Sequence, residues 1–412
     1  MIRGAAALAG VAASLILAVG SVPVVARTAP PERAPMVALA PDGTGDFGPQ
    51  TAGTRTAGWQ EALDYCVAHK RDLYVSGGFG GWQVFNISDT IRMPASEDFR
   101  IDGGIYVLNW TGSADKDLMV VDSAMNCEFH FGVMVYGGTG AALRIRPVKP
   151  VPIDNFPVIV ETKMDLWGIA DPSPFTHGER RAGEGLVLDG TKSGIVHSDI
   201  RVQSVINFHT CIRTVGNVGY NHIICPHLHT NADHGTLFAG DERLVGNTID
   251  FTIGVDQGAE GVTGLLLSGR HNVVQLAQRG CDKPIPPGRS LILNAQAEGN
   301  RIDLVCPEVA DPSGLVTDNA IDPTNQISWT GAPIAIRRVN APAGRFSYVQ
   351  RLWPATVSID SGRIKSLTLV RGKDRVTLNP KSANGVLLSV GDALVMESAS
   401  PLRLVVVPLK VK

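Results

Sequence analysis

Residues 186–202 read LVLDGTKSGIVHSDIRV, and the same arrangement recurs four more times before residue 307. Each repeat is a short apolar strand, a few polar or glycine residues, and a second apolar strand. A repeat of this kind forms one turn of a solenoid whose strands are joined by tight bends. The later repeats are IRTVGNVGYNHIICPHLHT (212–230), LFAGDERLVGNTIDFTIGV (237–255), LLLSGRHNVVQLAQ (265–278) and LILNAQAEGNRIDLV (291–305).

The bends of these repeats are marked by Gly194, Asn221, Asn247, Asn272 and Asn300, which lie 27, 26, 25 and 28 residues apart. Asparagine tolerates the left-handed backbone that such a bend needs, and its amide can bond to the same amide one coil away. Large apolar residues alternate along the flanking strands, so one face of each strand points into a shared core. We therefore predict an all-β chain built as a right-handed parallel β-helix, with the asparagines stacked at one bend.

Length and composition agree with this fold and exclude one class of partner. A solenoid of 412 residues can be one continuous domain, and 44% hydrophobic residues with 45 glycines suit a turn-rich β protein. The formal net charge of -2 provides no field that would attract nucleic acid, so we expect no nucleic-acid partner.

The first 26 residues have the pattern of a signal peptide. Arg3 precedes an apolar run, and Val24 and Ala26 are small residues at the positions that a signal peptidase reads. We predict a secreted or periplasmic protein that has no membrane contact after cleavage. The alternative of a membrane anchor stays open, because the uncharged run 4–26 is nearly long enough to span. The proline- and alanine-rich residues 27–41 are predicted to be a linker.

Six cysteines show no spacing typical of metal ligands. We expect most of them to be buried coil residues, with Cys211 and Cys225 as the pair if any disulfide forms.

A helix is predicted in WQEALDYCVAHK (59–70), because Trp59, Leu63 and Cys66 fall on one helical face and Thr56 is placed to cap its start. Such a helix would cover the open end of the solenoid, where a terminal strand otherwise exposes core and unpaired backbone.

This helix, the strand DLYVSGG (72–78) and the segment WQVFNISDTIRMPASEDFRIDGG (82–104) resemble the entry region of the pectate-lyase-like superfamily. The superfamily includes phage tailspikes and polygalacturonase-type glycosidases. Its pattern of strand, proline, strand and glycine matches 89–93, Pro94 and 99–104, and the resemblance extends as architecture to about residue 310. It implies the fold more than the chemistry, because hydrolases, lyases, esterases, transferases and binding proteins share this architecture.

The β-helix is expected to span 42–327, and a small antiparallel β domain is expected at 328–412. Turn signals at 360–362 and 391–392 separate its short alternating segments. It resembles the terminal β modules of tailspike-like proteins, so it either caps the last coil or contacts another subunit. The same resemblance implies a homotrimer.

Equivalent positions of adjacent coils stack about 4.8 Å apart, so aligning the coils by their bends collects polar residues on neighbouring rungs. From this alignment we predict two groups of site residues. The catalytic candidates are His209, Asp233, His234, Asp256 and Glu260. The substrate-binding candidates are Arg180, Arg181, Asn207, His229, Arg279 and Arg289.

These residues are compatible with two reactions on a polysaccharide. Glycoside hydrolysis needs two carboxylates about 5 Å apart for retention, or about 6.5 to 9.5 Å apart for inversion, and Asp233 with Asp256 or Glu260 could supply them. Elimination needs an arginine or cation on the uronate and a base such as His209 or His234.

Two other interpretations of the histidine-rich segment HLHTNADHG (227–235) stay open: a metal site, or ordinary solvated surface. We expect no resident metal or cofactor, while leaving room for a divalent cation such as calcium.

Known family motifs do not decide between the reactions. Polygalacturonases carry an Asp-Asp pair, which this sequence lacks, and Asp233-His234-Gly235 echoes their Gly-His-Gly motif only in part. The clustered aspartates of calcium-dependent pectate lyases are absent too. The sequence thus predicts a secreted protein that cleaves an extracellular polysaccharide, by hydrolysis or by elimination. The alternative is a non-catalytic polysaccharide-binding or adhesion module.

Overall fold

The structure is a computed structural model. It describes residues 36–77, 82–152, 155–172, 182–230, 234–255, 261–278, 285, 287–306, 315–322, 324–331, 336–351, 353–380 and 385–409, without the side chains of residues 234, 255, 306 and 331. The predicted signal peptide lies outside these residues. No helix in the described ranges is long and apolar enough to cross a membrane.

Two parallel sheets form the walls of a right-handed solenoid of about eight turns. Sheet I contains, with strands numbered in chain order, β1 (Met36–Leu39), β2 (Asp72–Val75), β3 (Gln83–Ile87), β6 (Arg100–Gly103), β7 (Tyr106–Trp110), β10 (Glu128–Val135), β13 (Lys163–Ala170), β15 (Asp199–Val202), β16 (Val205–Ile206), β18 (His222–Thr230), β21 (Thr248–Val255), β23 (Val273–Gln278), β25 (Arg301–Cys306) and β27 (Gln326–Gly331). Sheet II contains β4 (Ile91–Met93), β5 (Ser96–Glu97), β8 (Met119–Val121), β9 (Ala124–Met125), β11 (Ala141–Ile145), β12 (Val158–Val160), β14 (Glu184–Val196), β17 (Thr210–Gly219), β19 (His234–Gly240), β20 (Leu244–Val245), β22 (Gly261–Leu267), β24 (Leu291–Leu293) and β26 (Val316–Asp318).

The solenoid starts earlier and ends later than the sequence indicates. Residues 36–39, expected to be part of the linker, instead form β1 and pair with β2 in register from Met36 with Asp72. At the other end β27 still pairs with β25 through Gly331. Alternating apolar residues of both sheets fill one continuous core, as the period of two predicts.

The two corners of the solenoid differ. At the ladder corner the chain passes from sheet II to sheet I through a short bend that carries the asparagines. At the loop corner it passes from sheet I to sheet II, as residues 207–209 do between β16 and β17.

The predicted stack of Asn221, Asn247 and Asn272 is confirmed, and it continues to Asn300 and Asn325. Each asparagine donates from its backbone N–H and from Nδ2 to the Oδ1 of the next, at distances between 2.9 and 3.1 Å. All five are buried.

The prediction was wrong about which residue bends the backbone. The left-handed conformation belongs to the residue before each of the first four asparagines, at Tyr220, Gly246, His271 and Gly299. Gly194 was also misplaced, because it lies inside β14, and Ser198 takes the ladder position of that coil by donating from its backbone to Asn221 Oδ1. The buried amide and the bending residue are neighbours with separate roles.

The predicted capping helix is α1 (Trp59–His69), whose buried residues include Trp59, Leu63 and Cys66. Its face packs on β1, β2 and β4, and its apolar side chains join the solenoid core. The N-cap residue is Gly58 rather than Thr56, although Thr56 Oγ1 accepts the N–H of Gln60 in the first turn at 3.0 Å.

Two antiparallel sheets with a core of their own form the C-terminal module. Trp353 belongs to the solenoid core instead and packs against Trp329 with ring centroids 4.8 Å apart. Arg351 donates to Ala320 O at 2.8 Å. The module therefore caps the last coil.

The two sheets of the C-terminal module contain four strands each. Sheet III contains β28 (Arg337–Ala341), β30 (Ala355–Ser361), β33 (Val386–Leu388) and β35 (Leu402–Pro408), and sheet IV contains β29 (Gly344–Val349), β31 (Ile364–Arg371), β32 (Asp374–Leu378) and β34 (Ala393–Ser398).

Cys211 and Cys225 are free buried thiols, so the suggested disulfide between them is wrong, whereas their predicted burial is confirmed. Burial raises the pKa of each thiol to about 12, which keeps both sulfurs protonated and inert.

Candidate functional site

Three of the sequence-predicted site residues that the structure describes lie at the loop corner. Asn207 and His209 lie between β16 and β17, and Arg289 lies between β23 and β24. Strand register aligns these segments, because Thr210 pairs with both Glu184 and Thr236 on the adjacent coils. Several of the candidates lie outside the described residues: Arg180, Arg181, Asp233, Asp256, Glu260, Arg279 and the side chain of His234.

The described candidates differ in accessibility. His209 and Arg289 are exposed, and His229 is half-buried in β18. Asn207, by contrast, is fully buried, with a left-handed φ of 72° and a backbone N–H that donates to His229 O at 3.0 Å. A substrate-binding role needs an exposed amide, so the structure gives Asn207 a role in shaping the corner instead.

A charged cluster lies on the outer face of sheet II beside the loop corner. We call it the Arg144 cluster, and it consists of Asp117, Arg144, Glu184, Asp189 and Arg213. Alternation in β11, β14 and β17 sends leucines and isoleucines inward and Arg144, Asp189 and Arg213 outward. Glu184 is the first residue of β14, and Asp117 precedes β8. Val187 of β14 is the register partner of both Arg144 and Arg213, and it is buried.

Arg144 is the centre of this cluster. Its Nε and Nη2 donate to the two carboxylate oxygens of Asp117 at 2.8 and 3.2 Å. The same Nη2 lies 3.8 Å from Glu184 Oε2. The side chains of these three residues are only 17 to 19% exposed, so the charges act on one another with little screening by water.

Glu184 has an unusual environment for a carboxyl group. Burial raises its pKa above the ordinary glutamate value, and the negative charge of Asp117 acts in the same direction. The charges of Arg213 and Arg144 oppose the rise, as does His209. Arg213 approaches Glu184 Oε1 to 2.8 Å. His209 is thus a sequence-predicted residue whose charge acts on this cluster.

The Arg144 cluster was not predicted from the sequence, because its residues form no motif within any one segment and lie on separate strands. A signal was present: in AALRIRP (141–147) two arginines alternate with Leu143 and Ile145, which places both on the solvent face. What the sequence could not supply was the register that brings Asp117 to Arg144 across 27 residues.

Among the described residues, no group of three or more histidines, cysteines or carboxylates is arranged to hold a metal ion. Asp233 and the His234 side chain, which belong to the proposed metal interpretation, lie outside that part of the chain.

No protein-family model and no curated protein matches the chain. Among solved structures it is similar to the enzymatically active domain of tailspike protein 4 of bacteriophage CBA120, at 9% identity, with 87% of this chain and 67% of that chain covered and a TM-score of 0.41. It is also similar to the Dettilon tailspike protein (11% identity, 90% and 94% covered, TM-score 0.31) and to the tailspike protein of Acinetobacter phage vB_ApiP_P1 (10% identity, 87% and 85% covered, TM-score 0.33).

The architecture is a right-handed parallel β-helix. The two parallel sheets, the ladder corner and the capping helix confirm the fold that the entry region of the sequence implies. At these identities the similarities concern the fold alone, and the function has to be argued from the side chains of this chain.

Proposed function

We propose that the chain hydrolyses a glycosidic bond of an extracellular polysaccharide at the loop corner, with Glu184 as the proton donor and Asp117 as the second carboxylate. The observation that carries this proposal is the shared guanidinium of Arg144. Because one nitrogen lies 3.2 Å from Asp117 and 3.8 Å from Glu184, the two nearest carboxylate oxygens are no more than about 7 Å apart, which is compatible with glycosidase geometry.

The two carboxyl groups take different roles in the proposed hydrolysis. Glu184, whose pKa is raised by burial, can keep a proton to donate to the glycosidic oxygen. Asp117 accepts hydrogen bonds from Arg144 and from the backbone N–H of Ala141 at 2.7 Å, contacts that a carboxylate makes.

In the proposed step the Glu184 proton moves to the glycosidic oxygen while the bond from the anomeric carbon to that oxygen breaks and its electron pair stays with the leaving hydroxyl. Asp117 then takes a proton from a water whose oxygen bonds to the anomeric carbon. Alternatively, Asp117 bonds to that carbon itself, and a water deprotonated by Glu184 then attacks the carbon and breaks the bond to Asp117. The exposed imidazole of His209 adds a polar group at the same corner.

The leader-like residues 1–26 support an extracellular substrate, since a signal peptide would export the chain. The near-neutral net charge is compatible with either acidic or neutral polymers.

The test is an activity assay of the purified full-length chain on homogalacturonan, alginate, dextran and a bacterial capsular polysaccharide. Hydrolysis releases reducing ends without the ultraviolet absorbance of an unsaturated product, whereas elimination gives both. Glu184→Gln should lower turnover by about a hundredfold or more. Glu242→Gln, at an exposed turn, is the matched control and should stay within a few-fold.

Asp233→Asn separates this proposal from the sequence-based one. If Asp233→Asn abolishes cleavage and Glu184→Gln does not, the acid is Asp233 and the proposed role of Glu184 is wrong. Release of unsaturated products would show that the reaction is elimination rather than hydrolysis. Binding without release of any product would instead favour the non-catalytic module.

A further inference from the structure

We infer that the outer face of sheet I around Trp167 is a second, non-catalytic saccharide-binding site, which holds a sugar ring against the indole. The choice of a saccharide as ligand rests on the proposed function. We call this site the Trp167 platform. It is formed by Trp167 and Gly132 with the charged or titratable residues of β10 and β13, which are Glu128, His130, Lys163 and Asp165.

Trp167 points away from the core. Along β13 the residues Met164 and Leu166 are buried in the solenoid, and Trp167 has 49% of its surface exposed. No aromatic ring among the described residues packs against it. A large indole in this position leaves apolar surface in water that is available to a ligand.

The coil before Trp167 places no side chain beside the indole. Phe131 pairs with Leu166 and Val133 pairs with Gly168, so the position beside Trp167 on that coil is Gly132, a buried glycine. A Cβ at Gly132 would lie 2.3 Å from Tyr106 O, so the backbone of the coil below excludes any larger residue. The packing of the solenoid therefore keeps a side chain out of this position.

Charged side chains lie near the indole at the preceding alternate positions of β10 and β13, where Glu128 pairs with Lys163 and His130 pairs with Asp165. His130 Nε2 lies 3.0 Å from Glu128 Oε1, and its Nδ1 lies 3.6 Å from Asp165 Oδ2. Lys163 Nζ lies 3.1 Å from Asp165 and 3.3 Å from Glu128.

These polar side chains are available to a ligand as well as to one another. Hydrogen bonds from His130 and from Lys163 hold the pKa of Glu128 below its usual range, so this carboxylate is ionised. Its side chain is 37% exposed, and those of His130 and Asp165 are 29 and 30% exposed. Free lone pairs and N–H groups therefore remain within reach of the solvent beside the indole.

This combination fits a sugar better than a second protein. An aromatic ring face is slightly negative and attracts the weakly positive C–H groups of a pyranose, while the hydroxyl groups need donors and acceptors around the ring. A protein interface is depleted of charged residues at its centre and buries a larger apolar area than one indole. Here four charged or titratable groups lie beside one isolated aromatic residue.

The Trp167 platform is distinct from the Arg144 cluster. The Trp167 platform lies on sheet I, whereas Glu184 lies on sheet II. In the sequence, residues 171–183 separate β13 from β14. A site on the other side of the corner could hold a polymer without taking part in bond cleavage.

The experiment measures binding separately from cleavage. The parent is the Glu184→Gln variant, and Trp167→Ala and Phe156→Ala are each added to it. Each protein is titrated with homogalacturonan, alginate, dextran and capsular oligosaccharides, and binding is followed by calorimetry. Phe156 is the matched control, since it is an exposed aromatic (56%) outside the platform. Trp167→Ala should weaken binding by at least about tenfold, Phe156→Ala should stay within twofold, and Trp167→Tyr should restore most of the affinity.

The outcomes separate this inference from the proposed function. If the parent binds and Trp167→Ala binds within twofold, the Trp167 platform is wrong, whereas loss of cleavage in the Glu184→Gln single variant still supports the catalytic proposal. If Trp167→Ala lowers the melting temperature as much as it lowers affinity, and Trp167→Tyr restores neither, the residue is structural and the inference is overturned. If the wild-type chain neither binds nor cleaves any polymer of the panel, both proposals fail.

Discussion

The Nδ2 of Asn221 donates a hydrogen bond of 3.1 Å to Oδ1 of Asn247, and the same oxygen accepts the backbone N–H of Asn221 at 2.9 Å. Asn247 in turn donates to Asn272 and to the carbonyl oxygen of Val218. Every polar atom of the buried amide therefore has a partner, and the column ties successive coils together along the ladder corner.

Replacing Asn247 by Leu should destabilise the chain by about 1 to 3 kcal/mol, because Asn221 and Asn272 would lose a partner inside the protein. The free energy of unfolding from a denaturant titration measures the effect. Asn217→Leu, at an exposed position of β17, is the control and should change it by less than about 0.5 kcal/mol. Equal stabilities of the two variants would contradict the ladder as a source of stability.

Most of the fold could be predicted because a solenoid repeats its signals. The spacing of Asn221, Asn247 and Asn272 identified the coils, and the inward leucines identified the core. The same spacing could not show that Tyr220, Gly246 and His271 bend the backbone. Each of them directly precedes a ladder asparagine, so the two sets of residues have the same spacing along the sequence.

The candidate site was less predictable, because it depends on side chains from coils with different loop lengths. Aligning coils by their bends placed His209 at the loop corner, where its charge acts on Glu184. It did not find Asp117 and Arg144, whose pairing depends on the register of β8 with β11. Burial, which sets the pKa of Glu184, has no local signature in the sequence.

Gly246→Ala should destabilise the chain more than Gly372→Ala. Both glycines have a left-handed φ, 69° and 58°, so both variants carry the same class of backbone strain. At Gly246 a Cβ would also lie 2.7 Å from Cε1 of Tyr220, whereas nothing lies within 4 Å at Gly372. Thermal unfolding of the two variants measures the difference. A Gly246→Ala chain as stable as Gly372→Ala would show that the Tyr220 ring moves aside freely.

Trp353→Ala should cost about 3 to 5 kcal/mol, since it removes a fully packed indole from the core at the last coil. Because the C-terminal sheets have their own core, we also expect them to unfold separately from the solenoid in this variant. Denaturant unfolding followed by both tryptophan fluorescence and circular dichroism would then give two transitions. Ile336→Ala, at a side chain 56% exposed, should leave a single transition. A single unshifted transition for Trp353→Ala would exclude capping by this residue.

Arg213→Gln should move the alkaline limb of the activity profile to higher pH. Burial raises the pKa of Glu184, and the charge of Arg213 partly opposes that rise, so removing the charge raises the pKa further. If Glu184 is the proton donor, it then stays protonated, and the enzyme active, to a higher pH.

The same variant has a predicted effect on stability. Because the folded state binds the Glu184 proton more tightly than the unfolded state, stability is fully present below the ordinary glutamate pKa and declines as pH rises to the raised value. Arg213→Gln should extend that decline to higher pH, as measured by unfolding free energies across the acid range. Arg243→Gln, which removes an exposed charge on the same sheet, should leave both profiles in place. The prediction is contradicted if the alkaline limb of the activity profile moves to lower pH. It is also contradicted if that limb stays in place while the stability changes as expected. Either result would show that Glu184 is buried and coupled to Arg213 without being the catalytic acid.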